Sequence, residues 1–210
     1  MNGADGKFAP PGPSDVARLL KEFPLAWLVA TAAEGFHASP LPLRPRFDAD
    51  GRLLELDGHM SRANPLVGAF RAHPRGLAMF MGPQGYISPS WMTDRTQAPT
   101  WNYVAAHFTV DITFIGTDAG LDPLLDDIVD AMESHRAHAW STAEMGPRYR
   151  KLADRVIGFH AAVRSGRIKF KMGQDEREDV YGDIVHGLGD EGSTELLEWM
   201  RRCNPGRHSE

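Results

Sequence analysis

The segment Trp101 to Ile115 reads as one long strand, with alternation at Val110, Ile112 and Phe114. The other strand candidates surround it in hairpin-like order. Leu25 to Thr31 is a continuous apolar run and reads as a buried strand. Glu34-Gly35 is a turn signal, and Phe36 to Leu43 returns as a second strand. Pro40 and Pro42 cannot donate to a ladder, so that strand is expected to be irregular or to lie on an edge. Arg52 to Leu56 begins a third strand and Leu77 to Met81 forms another. Val156 to Val163 and Ile168 to Met172 flank a turn signal at Ser165-Gly166. There is no βαβ alternation and no G-x-G-x-x-G. The pattern disfavours a Rossmann fold and predicts a mainly β chain with helices (α+β), an antiparallel barrel with helices packed outside.

The helices are marked by caps and apolar stripes. Ser14 is placed to cap a helix carrying Val16, Leu19, Leu20 and Phe23, ended by Pro24. Asn64-Pro65 caps and starts a short helix, Leu66 to Ala72. His73 to Gly76 then turns the chain. Gly116 to Leu121 is a turn. From about Pro123, Leu124, Leu125, Ile128, Val129 and Met132 form one apolar face. Arg148 to Arg155 is a further helical piece. Val180, Ile184, Val185 and Leu188 mark another helix, and Ser193 to Arg202 the last. No repeat and no linker stands out. The expected organisation is a flexible Gly/Pro-rich segment over 1–13, one domain over 14–190, and a C-terminal helix and tail over 191–210.

Net charge is −5 and no long basic run occurs, which argues against a broad nucleic-acid footprint. The lone cysteine, Cys203, rules out an intramolecular disulfide and any Cys-cluster metal site. The N-terminus has no apolar signal-peptide core and no run reaches membrane-spanning length, so the expected location is cytoplasmic with no membrane contact. Nucleophilic catalysis lacks a G-x-S-x-G elbow. His135 and His138, three apart on the helix expected there, lack an H-E-x-x-H context, so no metal is expected.

Chemistry concentrates between Phe80 and His107, FMGPQGYISPSWMTDRTQAPTWNYVAAH. Aromatics beside Gly and Pro build rigid walls with polar tips, suited to a flat ligand or a partner surface; equally, they fill the core of two strands. Pro83 to Trp91 (PQGYISPSW) and Pro99 to Tyr103 (PTWNY) resemble the signature blocks of the PaiB-like proteins, a family of the FMN-binding split-barrel superfamily. Gly58-His59-Met60-Ser61-Arg62-Ala63-Asn64-Pro65 resembles a third block, G-H-x-x-R-A-N-P. Lys171-Met172-Gly173-Gln174-Asp175 resembles a fourth, K-L-S-Q-N, with Gly173 for the serine and Asp175 for the asparagine. The four stand in the family's order across most of residues 14–190.

This resemblance implies a split β-barrel, FMN as cofactor and a homodimer whose cleft holds the flavin. His59, Arg62 and Asn64 precede a helix start. Such a start favours anions, and an arginine there suits phosphate; the alternative is a cap, a turn residue and a solvated charge. Ser88, Ser90 and Trp91 would close the same site, or else form a Pro-stabilised turn in which Ser88 bonds its own backbone. Lys171 and Gln174 would complete the site of the same subunit or of its partner; a solvated strand edge is the alternative. Trp101, Asn102 and Tyr103 belong to ligand, core or dimer seam. Two roles fit an FMN-binding protein of this type. One is an oxidoreductase taking electrons from a reduced nicotinamide, and the other is a flavin-responsive transcriptional regulator acting on DNA. A haem-binding split barrel with His59 or His107 as ligand is the alternative.

Overall fold

The computed structural model describes residues 6–116 and 120–207. A 3-10 turn (Gly6–Phe8) leads to α1 (Pro13–Glu22), then to strands β1 (Leu25–Ala32), β2 (Gly35–Pro42), β3 (Arg44–Phe47) and β4 (Leu53–Ser61). Helix α2 (Pro65–Ala72), β5 (Arg75–Ile87), a 3-10 turn (Pro89–Trp91) and β6 (Thr100–Ile115) follow. Then come α3 (Leu121–Glu133), a 3-10 turn (Thr142–Met145), α4 (Arg148–Ala153), β7 (Val156–Lys171), α5 (Glu178–Asp190) and α6 (Thr194–Cys203). The strands form a seven-stranded antiparallel sheet in the order β2-β1-β5-β6-β7-β4-β3.

The chain divides into two compact units. The first is Ala17–Phe80 with His107–Gly166. The second is Met81–Ala106 with the chain from Arg167 onward and the N-terminal residues through Val16. In the first unit Leu28, Leu56, Met60, Leu66, Phe80, Phe108 and Phe159 are buried. Phe80 meets Phe108 edge to face at 6.0 Å. The second unit is closed by α5 and α6, which bury Tyr181, Ile184, Leu188, Leu197 and Trp199, with Phe170 edge-on to Trp199 at 5.7 Å. Residues 1–5 lie outside the described residues. Lys7 is tied to Asp175 at 2.5 Å.

Several elements differ from the sequence reading, each for a local reason. β5 does not stop at Gly82-Pro83. Both are buried, so the inside–outside alternation slips there while the strand runs on to Ile87. Ser165-Gly166 is not a turn but the middle of β7. A Cβ on Gly166 would lie 2.7 Å from the Phe108 ring, so the glycine marks a close approach. β3 was not anticipated; its Pro45 is tolerated because β3 ends the strand order. β2, with Pro40 and Pro42, ends the other side, as an edge strand should.

β1 is not buried on both faces. Leu25 and Trp27 are 64% and 51% exposed, while Ala26, Leu28 and Ala30 point inward. Ser14 sits inside the first turn of α1 rather than at its cap. α3 begins at Leu121 and ends at Glu133, so His135 and His138 lie beyond it and share no helical face. Of the turn expected over 116–121, residues 117–119 lie outside the described residues.

Candidate functional site

The corner between β4 and α2 is built by alternation. On β4, Leu56, Gly58 and Met60 face the core. A Cβ on Gly58 would come within 2.5 Å of Phe159 and 2.9 Å of Leu43. Glu55, Asp57 and His59 take the opposite face. His59 lies inside β4. It is half-buried, its Nδ1 is wholly buried, and among the described residues that atom has no hydrogen-bond partner. Burial lowers its pKa and favours the neutral ring.

Beyond Ser61 the chain turns, with Asn64 N–H donating to Ser61 O at 2.9 Å and Arg62 N–H to Arg155 O at 2.9 Å. The Arg62 side chain is exposed. Its Nε donates to Asp154 O at 3.0 Å, and among the described residues its two terminal nitrogens have no hydrogen-bond partner. Asn64 is the N-cap of α2. Its Oδ1 accepts from Leu66 N–H at 3.0 Å, and its Nδ2 donates to Ser39 Oγ at 3.0 Å. Pro65 has no N–H, and Val67 N–H is bonded to Asn64 O. The first amides of α2 are therefore not available to an anion. At this corner the terminal nitrogens of the Arg62 fork and His59 Nδ1 are left without a hydrogen-bond partner among the described residues.

The remaining candidates belong to the second unit. Ser88 Oγ accepts from Ser90 N–H at 3.1 Å, making the Pro-stabilised turn given as the alternative reading. Ser90 is exposed. Trp91 lies against α5, where a Cβ on Gly187 would fall 2.4 Å from its ring. The following loop is held by Asp94, which accepts from Thr96, Gln97 and Arg177; these bonds, the Thr96 hydroxyl first, hold its carboxyl well below the usual range.

Lys171 Nζ donates to Thr100 Oγ1 at 2.5 Å and Trp101 O at 2.8 Å, and burial lowers its pKa. Gln174 folds back on its own turn, accepting from Met172 N–H and donating to Phe170 O. Gly173, at φ 77°, makes that turn possible, which accounts for glycine where the related block has serine. Asn102 is buried, with Nδ2 3.5 Å from Met200 Sδ. Trp101 is 52% exposed and meets the exposed Tyr86 edge to face at 6.0 Å.

The structure thus gathers His59, Arg62 and Asn64 at one corner of the first unit. In the second unit, Ser88, Ser90 and Trp91 share one turn, and Lys171 and Gln174 lie at the end of β7. Sequence reasoning missed the exposed face of β1, although the alternation of Leu25, Trp27 and Val29 with small or buried neighbours was the available signal. No helix among the described residues is long and apolar enough to cross a membrane.

Solved structures with the same architecture define the class. A conserved hypothetical protein from Mycobacterium tuberculosis superposes with a TM-score of 0.59 at 10% identity, covering 81% of this chain and 91% of the other. The FAD and heme binding protein from Mycobacterium smegmatis gives 0.58 at 18% identity, covering 85% and 79%. The flavocytochrome Anf3 from Azotobacter vinelandii gives 0.59 at 16%, covering 78% and 70%. At these identities the likeness is one of fold, a split barrel with peripheral helices.

The family follows from the sequence match. Residues 5–165 match the model described as "Putative FMN-binding domain", and the chain belongs to that family. The protease synthase and sporulation protein PAI 2 of Bacillus subtilis (strain 168) is 29% identical over 137 residues, 65% of this chain and 65% of that relative. The match therefore spans just under two thirds of the relative's length. The PaiB-like resemblance read from the four blocks is borne out.

Proposed function

We propose that this chain is a homodimeric flavoprotein that binds FMN with its phosphate at the β4–α2 corner and uses it to pass electrons from a reduced nicotinamide to an acceptor. The observation that carries the reading is the pair of unused polar groups there, the buried Nδ1 of His59 and the terminal nitrogens of Arg62. A buried polar atom without a partner calls for one, and an arginine fork is shaped for phosphate. Bound FMN supplies the redox chemistry. The chain's part is to bind and orient it: Arg62 and His59 at the phosphate, Asn64 by fixing the turn that carries Arg62. Ser88, Ser90, Trp91, Lys171 and Gln174, all in the second unit, are proposed as further flavin contacts.

The dimer reading is supported by exposed apolar side chains in each unit. These are Leu25 and Trp27 in the first, and Met81, Tyr86 and Trp101 in the second. Large exposed aromatics are the usual anchors of protein interfaces. Light scattering checks it; a monomer that still binds FMN tightly would refute a shared cleft.

Electron transfer is favoured over DNA reading by charge. α5 and α6 are joined by three residues with Gly192 at φ 73°, a connection that DNA-reading helix pairs also use. The exposed residues of the first half of α6 are Thr194, Glu195 and Glu198, and its two carboxylates would repel phosphates. Haem remains a distinct outcome, read as a Soret band in place of a flavin spectrum.

The test compares FMN with riboflavin on Arg62→Ala. A charge-assisted hydrogen bond is worth about 1.5–3 kcal/mol, so FMN should weaken roughly 10- to 150-fold at about 1.4 kcal/mol per tenfold. Riboflavin, lacking the phosphate, should change little. Equal losses for both flavins would make Arg62 only the tie to Asp154 and remove the phosphate assignment.

A further inference from the structure

We propose that Glu55, Asp57 and His160 form a binding site for a divalent transition-metal ion on the face of the β4–β7 pair opposite the core. Glu55 and Asp57 are two apart on β4 and therefore share a face. The antiparallel register sets His160 of β7 directly opposite Asp57. One potential ligand atom from each of the three lies within 4.8 Å of the others. Asp57 Oδ1 and His160 Nδ1 are already 2.6 Å apart. Two ligands on one ion, each at about 2.0–2.2 Å, stand about 3 Å from each other, so the triangle needs little rearrangement to close on a metal.

The second observation is the state of Asp57. Its carboxylate is 2% exposed, yet its one hydrogen-bond partner among the described residues is an imidazole. Arg46 Nη1 stands 3.6 Å from Asp57 and 3.8 Å from Glu55, beyond hydrogen-bonding distance, on a side chain that is 53% exposed. A buried carboxylate so weakly compensated favours a closer cation. Glu55 and His160 are about one third exposed, which leaves an approach for the ion and for water ligands.

One imidazole with two carboxylates selects zinc, manganese, iron(II) or cobalt over magnesium and calcium, which prefer oxygen alone. On binding through Nδ1, His160 carries its remaining proton on Nε2, and Arg46 swings outward. The sequence alone points to no such site, because Asp57 and His160 are 103 residues apart and meet only through strand pairing.

The test is calorimetric titration of the full chain with Zn²⁺ after chelator treatment, with Co²⁺ absorption as a second readout of ligand geometry. One ion per chain is expected. Asp57→Asn and His160→Gln should each weaken it at least about tenfold, a loss typical of disturbed metal sites. Glu55→Gln, at a more exposed position, serves if Asp57→Asn does not fold. Arg46→Met removes the competing cation and should tighten binding. Absence of saturable Zn²⁺ uptake by the wild type overturns the proposal. So does binding that survives His160→Gln and Glu55→Gln unchanged, since the ion would then sit on other histidines.

Discussion

Gly187→Ala should destabilise this protein even though it replaces a helical glycine. In the interior of α5 the exchange alone should gain about 0.8–1.0 kcal/mol. The added methyl, however, would fall 2.4 Å from Cγ and Cδ2 of Trp91 and 2.8 Å from its Cβ. Carbon atoms rest at about 3.5–4.0 Å, so the overlap exceeds what a small side-chain shift relieves. Trp91 cannot retreat freely. Ser88 caps its turn, Met92 N–H bonds Pro89 O at 3.2 Å, and Thr93 N–H bonds Asp183 of α5 at 2.6 Å.

Overpacking of this kind costs about 1–3 kcal/mol, leaving a net loss on the order of up to 2 kcal/mol. In a Trp91→Ala background the obstacle is gone, and the same exchange should stabilise by about 1 kcal/mol. Urea unfolding followed by far-ultraviolet circular dichroism measures all four variants without relying on tryptophan emission. Equal losses in both backgrounds would refute the packing argument. The cycle also bears on the flavin reading, because a Trp91 held by α5 can offer a ligand only what that contact leaves uncovered.

Two further outcomes follow from local geometry. Asn64→Ala removes both the cap on Leu66 and the bond to Ser39, and should cost about 1–2 kcal/mol in thermal or urea unfolding; an unchanged midpoint would show that water replaces the cap. Burial pushes the Cys203 thiol up to about 12, so at pH 8 it should react with a disulfide reagent far more slowly in the folded chain than in urea. Comparable rates in the two states would place the thiol in open solvent.

Much of this protein is determined locally and was readable in the chain. Asn64-Pro65 starts α2 because an Asn side chain accepts a helix amide and proline needs none. The stripe of Val180, Ile184, Val185 and Leu188 buries one face of α5 because a helix repeats every 3.6 residues. The first three blocks, in order, carried the family. The alternation in Trp101 to Ile115 made β6 and with it the antiparallel plan.

Tertiary structure decided the rest, wherever one residue's meaning depends on a distant neighbour. Gly166 looks like a turn until Phe108 packs against it, and Gly187 looks like a weak helical position until Trp91 occupies its missing side chain. The apolar run of β1 reads as buried on both faces, but burial requires a second layer, and among the described residues nothing covers Leu25 and Trp27. Ser88 and Gln174 carry the right chemistry for a ligand, and each also makes hydrogen bonds within its own turn that only the folded chain shows. Asp57 and His160 are ordinary residues in the sequence. They become a pair because antiparallel register, set by the hydrophobic faces of whole strands, brings them opposite each other.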